Sequence, residues 1–266
     1  MKVRFVKMHG AGNDFVMVDD RAETFPADDS AFVARLANRP DGIGCEGVIL
    51  IRPSASADFS MRFLNPDGSE ADLCGNGARC VAAFARLIGA APSRSMRFET
   101  HAGTISAEVL GDGRVKIAMP RPTDLRRNFV NPGVPHAIVP VDDVRRADVA
   151  GEGRRVRFSS AYAPAGANVD FVQWTGEHSL AIRTYERGVE AETFACGTGA
   201  VASALVGVAQ HGLAFPVAVR TMRGCELEVG GVWKDGSFSD VTLTGPVRTV
   251  FSGEIDLPAP VRGVLL

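Results

Sequence analysis

One stretch of this chain is written twice. Glu70-Ala71-Asp72-Leu73-Cys74-Gly75-Asn76-Gly77-Ala78 aligns without a gap on Glu192-Thr193-Phe194-Ala195-Cys196-Gly197-Thr198-Gly199-Ala200. Two further pairs keep the same order. Asn13-Asp14-Phe15-Val16 resembles Asn168-Val169-Asp170-Phe171-Val172 with one residue inserted, and 100–109 resembles 221–229 through a shared Thr, Gly and Glu-Val. Two copies are too few for a solenoid. The duplication therefore predicts two pseudo-equivalent domains facing one another, joined near 120–124. That linker puts the first domain at 1–120 and starts the second at 121.

Each copy predicts a helix directly after its cysteine. The first runs from about 77 to 88, with Val81, Phe84, Ala85 and Ile88 on one face. The second, 200–210 (AVASALVGVAQ), is apolar almost all round, and a helix without a polar face must be buried on every side. A third helix, capped by Asp29 or Ser30, carries Phe32, Val33 and Leu36 and stops before Pro40. Elsewhere short strand patterns dominate: 13–18, 47–51, 58–64, 115–119, 168–174, 180–185 and 240–243, with hairpin turns at 111–113 and 234–236. The expected fold is α/β, close to α+β. The all-apolar second helix is expected to be wrapped by a curled sheet rather than to lie on the outside of one.

With 29 basic against 31 acidic residues, the net charge of −2 supplies no field for nucleic acid or anionic lipid. The opening run 1–10 lacks the apolar stretch of a secretion signal, and the longest nearly apolar run, 199–209, is too short for a membrane helix. Five cysteines, an odd number, argue against a disulfide framework and for a reducing cytoplasm. No CxxC pair and no zinc spacing among the five histidines predict a metal site. Gly42-Ile43-Gly44-Cys45-Glu46-Gly47 matches GxGxxG but precedes a strand instead of following one, so the dinucleotide reading fails. A pyridoxal cofactor needs a Schiff-base lysine, and Lys2, Lys7, Lys116 and Lys234 all lie away from the cysteines in sequence. The expectation is chemistry without a cofactor. Arg126-Arg127 and 154–157 read as solvated surface.

Cys74 and Cys196 each stand where a strand turns into a helix. Free N–H groups and the macrodipole at a helix N-terminus favour negative charge, so a thiol there ionises more readily and becomes reactive. The glycines allow close backbone approach, and the N–H groups can hold a carboxylate. Two thiols flanking one carbon suit inversion: one thiolate removes the α-proton, the opposite thiol returns a proton, and backbone dipoles stabilise the enediolate. Racemisation or epimerisation of an α-amino acid is the reaction class. Cys45, Cys80 and Cys225 read as small buried hydrophobes.

The chain resembles the diaminopimelate epimerases. The resemblance is carried by Lys7-Met8-His9-Gly10-Ala11-Gly12-Asn13-Asp14-Phe15, Gly42-Ile43-Gly44, Asn65-Pro66-Asp67-Gly68-Ser69-Glu70 and Cys74-Gly75-Asn76-Gly77-Ala78-Arg79. Pro135-His136, Asn168, Tyr185-Glu186-Arg187-Gly188 and Cys196-Gly197-Thr198-Gly199 complete it. It implies two pseudo-symmetric domains, each a barrel-like, mostly antiparallel sheet around a central buried helix, with the C-terminal residues from about 252–266 returning to the first and the second ending at 251. It also implies an isomerase that interconverts LL- and meso-diaminopimelate without a cofactor, for lysine and peptidoglycan synthesis. It implies Cys74 and Cys196 as the acid–base pair, with Gly75-Asn76 and Gly197-Thr198 holding the reacting carboxylate. His136 and Glu186 face the reacting ammonium. Asn13, Asn65, Asn168 and Arg187 bind the distal end, where the fork of Arg187 suits a carboxylate. The resemblance also implies a homodimer. Two positions depart from the pattern: Val134 stands where some members carry Asn, and Glu46 is followed by Gly47 where others carry Gln. A related racemase of another amino acid and a non-catalytic thiol switch are the competing readings.

Overall fold

The computed structural model describes residues 1–71 and 74–257. Asp72 and Leu73 of the first repeat, and the part of the expected return segment beyond 257, lie outside the described residues. The chain divides into two compact units: Met1–Val115 together with the segment that begins at Val247, and Lys116–Pro246. In chain order the elements are β1 (Lys2–Gly10), β2 (Asn13–Asp19), α1 (Ser30–Ala37), β3 (Val48–Arg52), β4 (Phe59–Leu64), α2 (Gly75–Leu87), β5 (Ser95–Thr100) and β6 (Gly103–Val109). They continue with β7 (Val115–Ala118), β8 (Thr123–Arg126), β9 (Phe129–Asn131), β10 (His136–Pro140), α3 (Val149–Arg157), β11 (Asn168–Gly176) and β12 (Ser179–Glu186). The last are β13 (Ala191–Thr193), α4 (Gly197–Gln210), β14 (Val217–Arg220), β15 (Glu226–Lys234), β16 (Ser237–Gly245) and β17 (Val247–Asp256).

In the first unit the sheet runs β17, β1, β2, β3, β4, β5, β6. Only β2–β3 and β4–β5 are parallel, as their helical crossovers require. One face curls around α2, which touches β1, β2, β3, β6 and β17. On that helix Ala78, Val81, Ala82, Phe84 and Ala85 are all buried. The other face is covered by α1, whose Phe32, Val33 and Leu36 pack on Val16, Val18, Val48 and Leu50. With both faces covered, Val48, Ile49, Leu50 and Ile51 are all fully buried. In β4 the expected alternation holds: Phe59, Met61 and Phe63 are buried, while Ser60 and Arg62 are half-buried.

The second unit repeats the plan. Its sheet runs β9, β10, β11, β12, β14, β15, β16, with β10–β11 and β12–β14 parallel. It wraps α4, whose Ala200–Gly207 turns are buried on all sides, as their composition requires. Outside, α3 covers β11 and β12 through Val149, Val169, Phe171 and Tyr185.

The topology corrects one of the three repeat pairings. The strands β2 and β10 each precede a crossover helix, and β3 and β11 each follow one, so Asn168 is not the counterpart of Asn13. Val16 lies opposite Val48 and Ala137 opposite Val169. With Gly77 facing Ile49 where Gly199 faces Asp170, that register matches Phe15 with His136 and Ile49 with Asp170. Two surface expectations also change. Arg157 is only half-buried, paired with Glu190 at 3.1 Å, and Cys225 is half-exposed in the β14–β15 turn.

Candidate active site

Cys74 and Cys196 are the N-caps of α2 and α4. Both have extended backbone, φ −123° and ψ 121° at Cys74, φ −109° and ψ 112° at Cys196. Each carbonyl accepts the first helical hydrogen bond, from Ala78 at 2.7 Å and from Ala200 at 3.0 Å. The helices thus begin at Gly75 and Gly197, two and three residues earlier than the apolar pattern predicts. The Gly-x-Gly segments are the first helical turns, and their N–H groups point out of the helix ends.

At the first end, the Cys74 thiol donates to Asn13 Oδ1 at 3.4 Å, and Asn76 Nδ2 donates to the same oxygen at 3.4 Å. Asn13, at the start of β2, donates in turn to Glu46 Oε2. Arg79, fully buried, donates to Asn76 Oδ1 at 2.6 Å and to the Gly75 carbonyl at 3.2 Å. Behind the turn the layer is apolar: a Cβ on Gly77 would meet Ile49 Cδ1 at 2.9 Å and Phe15 Cε1 at 3.6 Å. Gly47 has no room for a side chain, since Phe63 Cε2 stands 2.3 Å from where a Cβ would lie. Asn65 closes its own loop, donating from Nδ2 to Ser69 Oγ at 3.0 Å.

At the second end, Cys196 Sγ lies 3.4 Å from Thr198 Oγ1, which lies 2.9 Å from His136 Nε2. His136 Nδ1 is 2.7 Å from Asp170 Oδ2, and neither side chain has any exposed surface. Thr184 donates to Asp170 Oδ1 at 2.7 Å. Asn168 approaches His136 Nε2 with its Nδ2 at 3.4 Å and accepts from the Arg187 N–H at 2.8 Å. The thiol of Cys196 is pushed well above the ordinary range, first by burial and then by the carboxylates of Glu186 and Asp170. The Thr198 hydroxyl and the Gly199 N–H oppose this.

The structure therefore gathers Asn13, Gly75 and Asn76 at Cys74. At Cys196 it gathers His136, Asn168, Glu186, Gly197 and Thr198, with Arg187 attached through its backbone. Asn65 has its bonds to Ser69. Sequence reasoning missed Asp170 and Arg79. Asp170 stood inside a quoted motif as a repeat marker, and an acidic residue amid Val169, Phe171 and Val172 was the available signal.

The diaminopimelate epimerase family model matches residues 5–124 and 128–250. The chain belongs to the diaminopimelate epimerase family. A diaminopimelate epimerase of Aquifex aeolicus is 40% identical over 277 residues, covering 95% of this chain and 98% of the relative. One from Chlorobaculum tepidum is 40% identical over 261 residues, covering 94% and 100%. Among solved structures, a phenazine biosynthesis PhzF-family protein of Bacillus anthracis superposes with a TM-score of 0.74 at 15% identity, covering 97% of this chain and 100% of that one. A hydroxyproline epimerase of Agrobacterium vitis superposes at 0.67 with 19% identity, covering 97% and 94%. These likenesses fix the fold as the pseudo-symmetric, two-domain α/β architecture expected from the duplication.

Proposed function

We propose that this member of the family interconverts LL- and meso-diaminopimelate by a two-thiol mechanism without a cofactor, serving lysine and peptidoglycan synthesis. The observation that carries the reading is the pair of cysteine N-caps, each closing the same Cys-Gly-x-Gly turn ahead of a buried helix. One thiolate removes the α-proton and the opposite thiol protonates the other face of the carbanion. Stereochemistry inverts, and the two thiols exchange protonation states. N–H groups of Gly75-Asn76 and Gly197-Thr198 hold the reacting carboxylate, where developing enediolate charge meets fixed dipoles. Glu186 and the His136 side face the reacting ammonium. Asn13, Asn65, Asn168 and Arg187 select the distal end, alongside the Gly47 turn.

In deuterated water the inverted α-carbon acquires solvent deuterium, and Cys74→Ala and Cys196→Ala each abolish turnover. Efficient epimerisation by either variant overturns the two-thiol assignment. Val134 favours a second reading, a different amino acid at the same site. A panel of single enantiomers followed by chiral chromatography decides between them. The reading places the enzyme in the cytoplasm, where its thiols stay reduced, and as a homodimer, checked by light scattering.

A further inference from the structure

The two helix ends share a backbone plan but differ in the layer behind them. Phe15 and Ile49 fill that layer in the first unit. In the second the matching positions carry His136 and Asp170, a buried polar pair in a place where apolar side chains serve the twin equally well. A buried pair gains little stability over well-packed apolar residues, so its retention points to chemistry. Four contacts define its state. The Asp170 carboxylate accepts, so His136 Nδ1 must donate to it across 2.7 Å. Nε2 faces the Thr198 hydroxyl at 2.9 Å and the Asn168 amide nitrogen at 3.4 Å, both able to donate. Thr184 fixes the second carboxylate oxygen at 2.7 Å. The imidazole is therefore the Nδ1–H tautomer, with its Nε2 lone pair on Thr198. Thr198 Oγ1, donating to His136, has a lone pair left to accept from the Cys196 thiol at 3.4 Å.

Resting on the two-thiol reading, we propose that Asp170 is a positioning residue of the reaction: it holds His136 in the tautomer that links Cys196, through Thr198, to a buried proton relay. When Cys196 must become the base, its S–H proton passes to Thr198 Oγ1 while the Thr198 hydroxyl proton passes to His136 Nε2. The products are a thiolate, an unchanged hydroxyl and an imidazolium facing the Asp170 carboxylate. The reverse passage restores the thiol. The relay thus generates the Cys196 thiolate while Cys74 is still a thiol and stores the proton on His136, whose pair with Asp170 is closed to solvent. The Cys74 thiol donates instead to the amide oxygen of Asn13 at 3.4 Å.

The test uses the full chain labelled with ¹⁵N-histidine, the His136 resonances being assigned by their loss in His136→Gln. The wild type is expected to carry its proton on Nδ1. In Asp170→Asn the amide donates to Nδ1, so the proton moves to Nε2 and opposes Thr198. The expected kinetic result is a fall of about a hundredfold in kcat, at the low end for a lost acid–base relay, with KM for LL-diaminopimelate within about threefold. Thr198→Val keeps the shape and the tautomer but cuts the chain, and is expected to lose kcat to a similar degree. It also decides the matter if Asp170→Asn does not fold. A wild-type proton on Nε2, or wild-type kcat in either variant, overturns the relay. Turnover by Cys196→Ala instead overturns the two-thiol reading, while the tautomer measurement still judges the role of Asp170.

Discussion

Gly199→Ala is the sharpest test of the packing at Cys196. Gly199 is the third residue of α4, and a Cβ there would stand 2.5 Å from Asp170 Oδ1 and 3.2 Å from its Cγ. That is far inside van der Waals contact, and the obstacle cannot swing aside. Asp170 is fully buried and held through both oxygens by His136 and Thr184. Overpacking of this kind costs about 1–3 kcal/mol, and loosening a charge-assisted hydrogen bond adds about 1.5–3 kcal/mol. Replacing Gly by Ala in a helix returns at most about 1 kcal/mol. The net loss is about 3 kcal/mol, and at roughly 3 °C per kcal/mol Tm falls about 9 °C. Gly77→Ala, the twin substitution, meets Ile49 Cδ1 at 2.9 Å. That atom is the tip of a rotatable side chain, so strain and helix propensity nearly cancel. Thermal unfolding of both full-length variants by circular dichroism, with kcat beside it, checks the contrast. A Gly199→Ala protein melting within 1 °C of wild type with unchanged kcat, or a Gly77→Ala protein falling as far, refutes the reasoning.

Three further outcomes follow from the same structure. Arg79→Met removes the buried donor to Asn76 Oδ1 and costs about 1–3 kcal/mol. Chemical denaturation reads the loss, and activity falls with it as the Cys74 turn loosens. Burial pushes the Cys80 thiol up to about 12. The unfolded thiol ionises near 9 while the folded one stays protonated, so stability is complete below pH 9 and declines as pH rises towards 12, by about 4 kcal/mol. Cys80→Ala removes that share of the decline, leaving those of Cys45 and Cys196, whose thiols burial also raises. Replacing the buried pair by its twins, as His136→Phe with Asp170→Ile, leaves stability equal or higher while kcat collapses. Equal activity in that double variant argues for a purely structural pair.

Much of this fold was legible because its strongest signals are physical necessities. An all-apolar helix needs burial on every side, and α4 has it. Alternation at Phe59, Met61 and Phe63 needs one buried face, and β4 has it. Helix α3 was not legible: Gly151 and Gly153 weaken its propensity, and the Asp148 cap together with packing on Tyr185 compensates. A Cβ on Gly153 would fall 2.6 Å from Tyr185 Cβ, so the glycine that obscures the helix is what seats it. The starts of α2 and α4 were obscured in the same way by the glycines of their first turns. The likeness of Asn13 to Asn168 misled because short polar-apolar words recur at strand starts. Only the parallel registers tell which strands are twins.

Those registers also explain why Asp170 and Arg79 escaped a motif-level reading. Each acts from behind the residue that carries the motif: Arg79 holds Asn76, and Asp170 holds His136. A pattern of letters shows Cys-Gly-x-Gly twice and suggests two equal halves. The buried layer shows them unequal, with Phe15 and Ile49 behind one thiol and His136 and Asp170 behind the other. On the two-thiol reading the pair exchanges opposite protonation states, and unequal surroundings favour one starting arrangement over the other. Divergence behind a retained helix end supplies the inequality at little cost to the scaffold, because the exchanged side chains are buried in both halves and the backbone need not move.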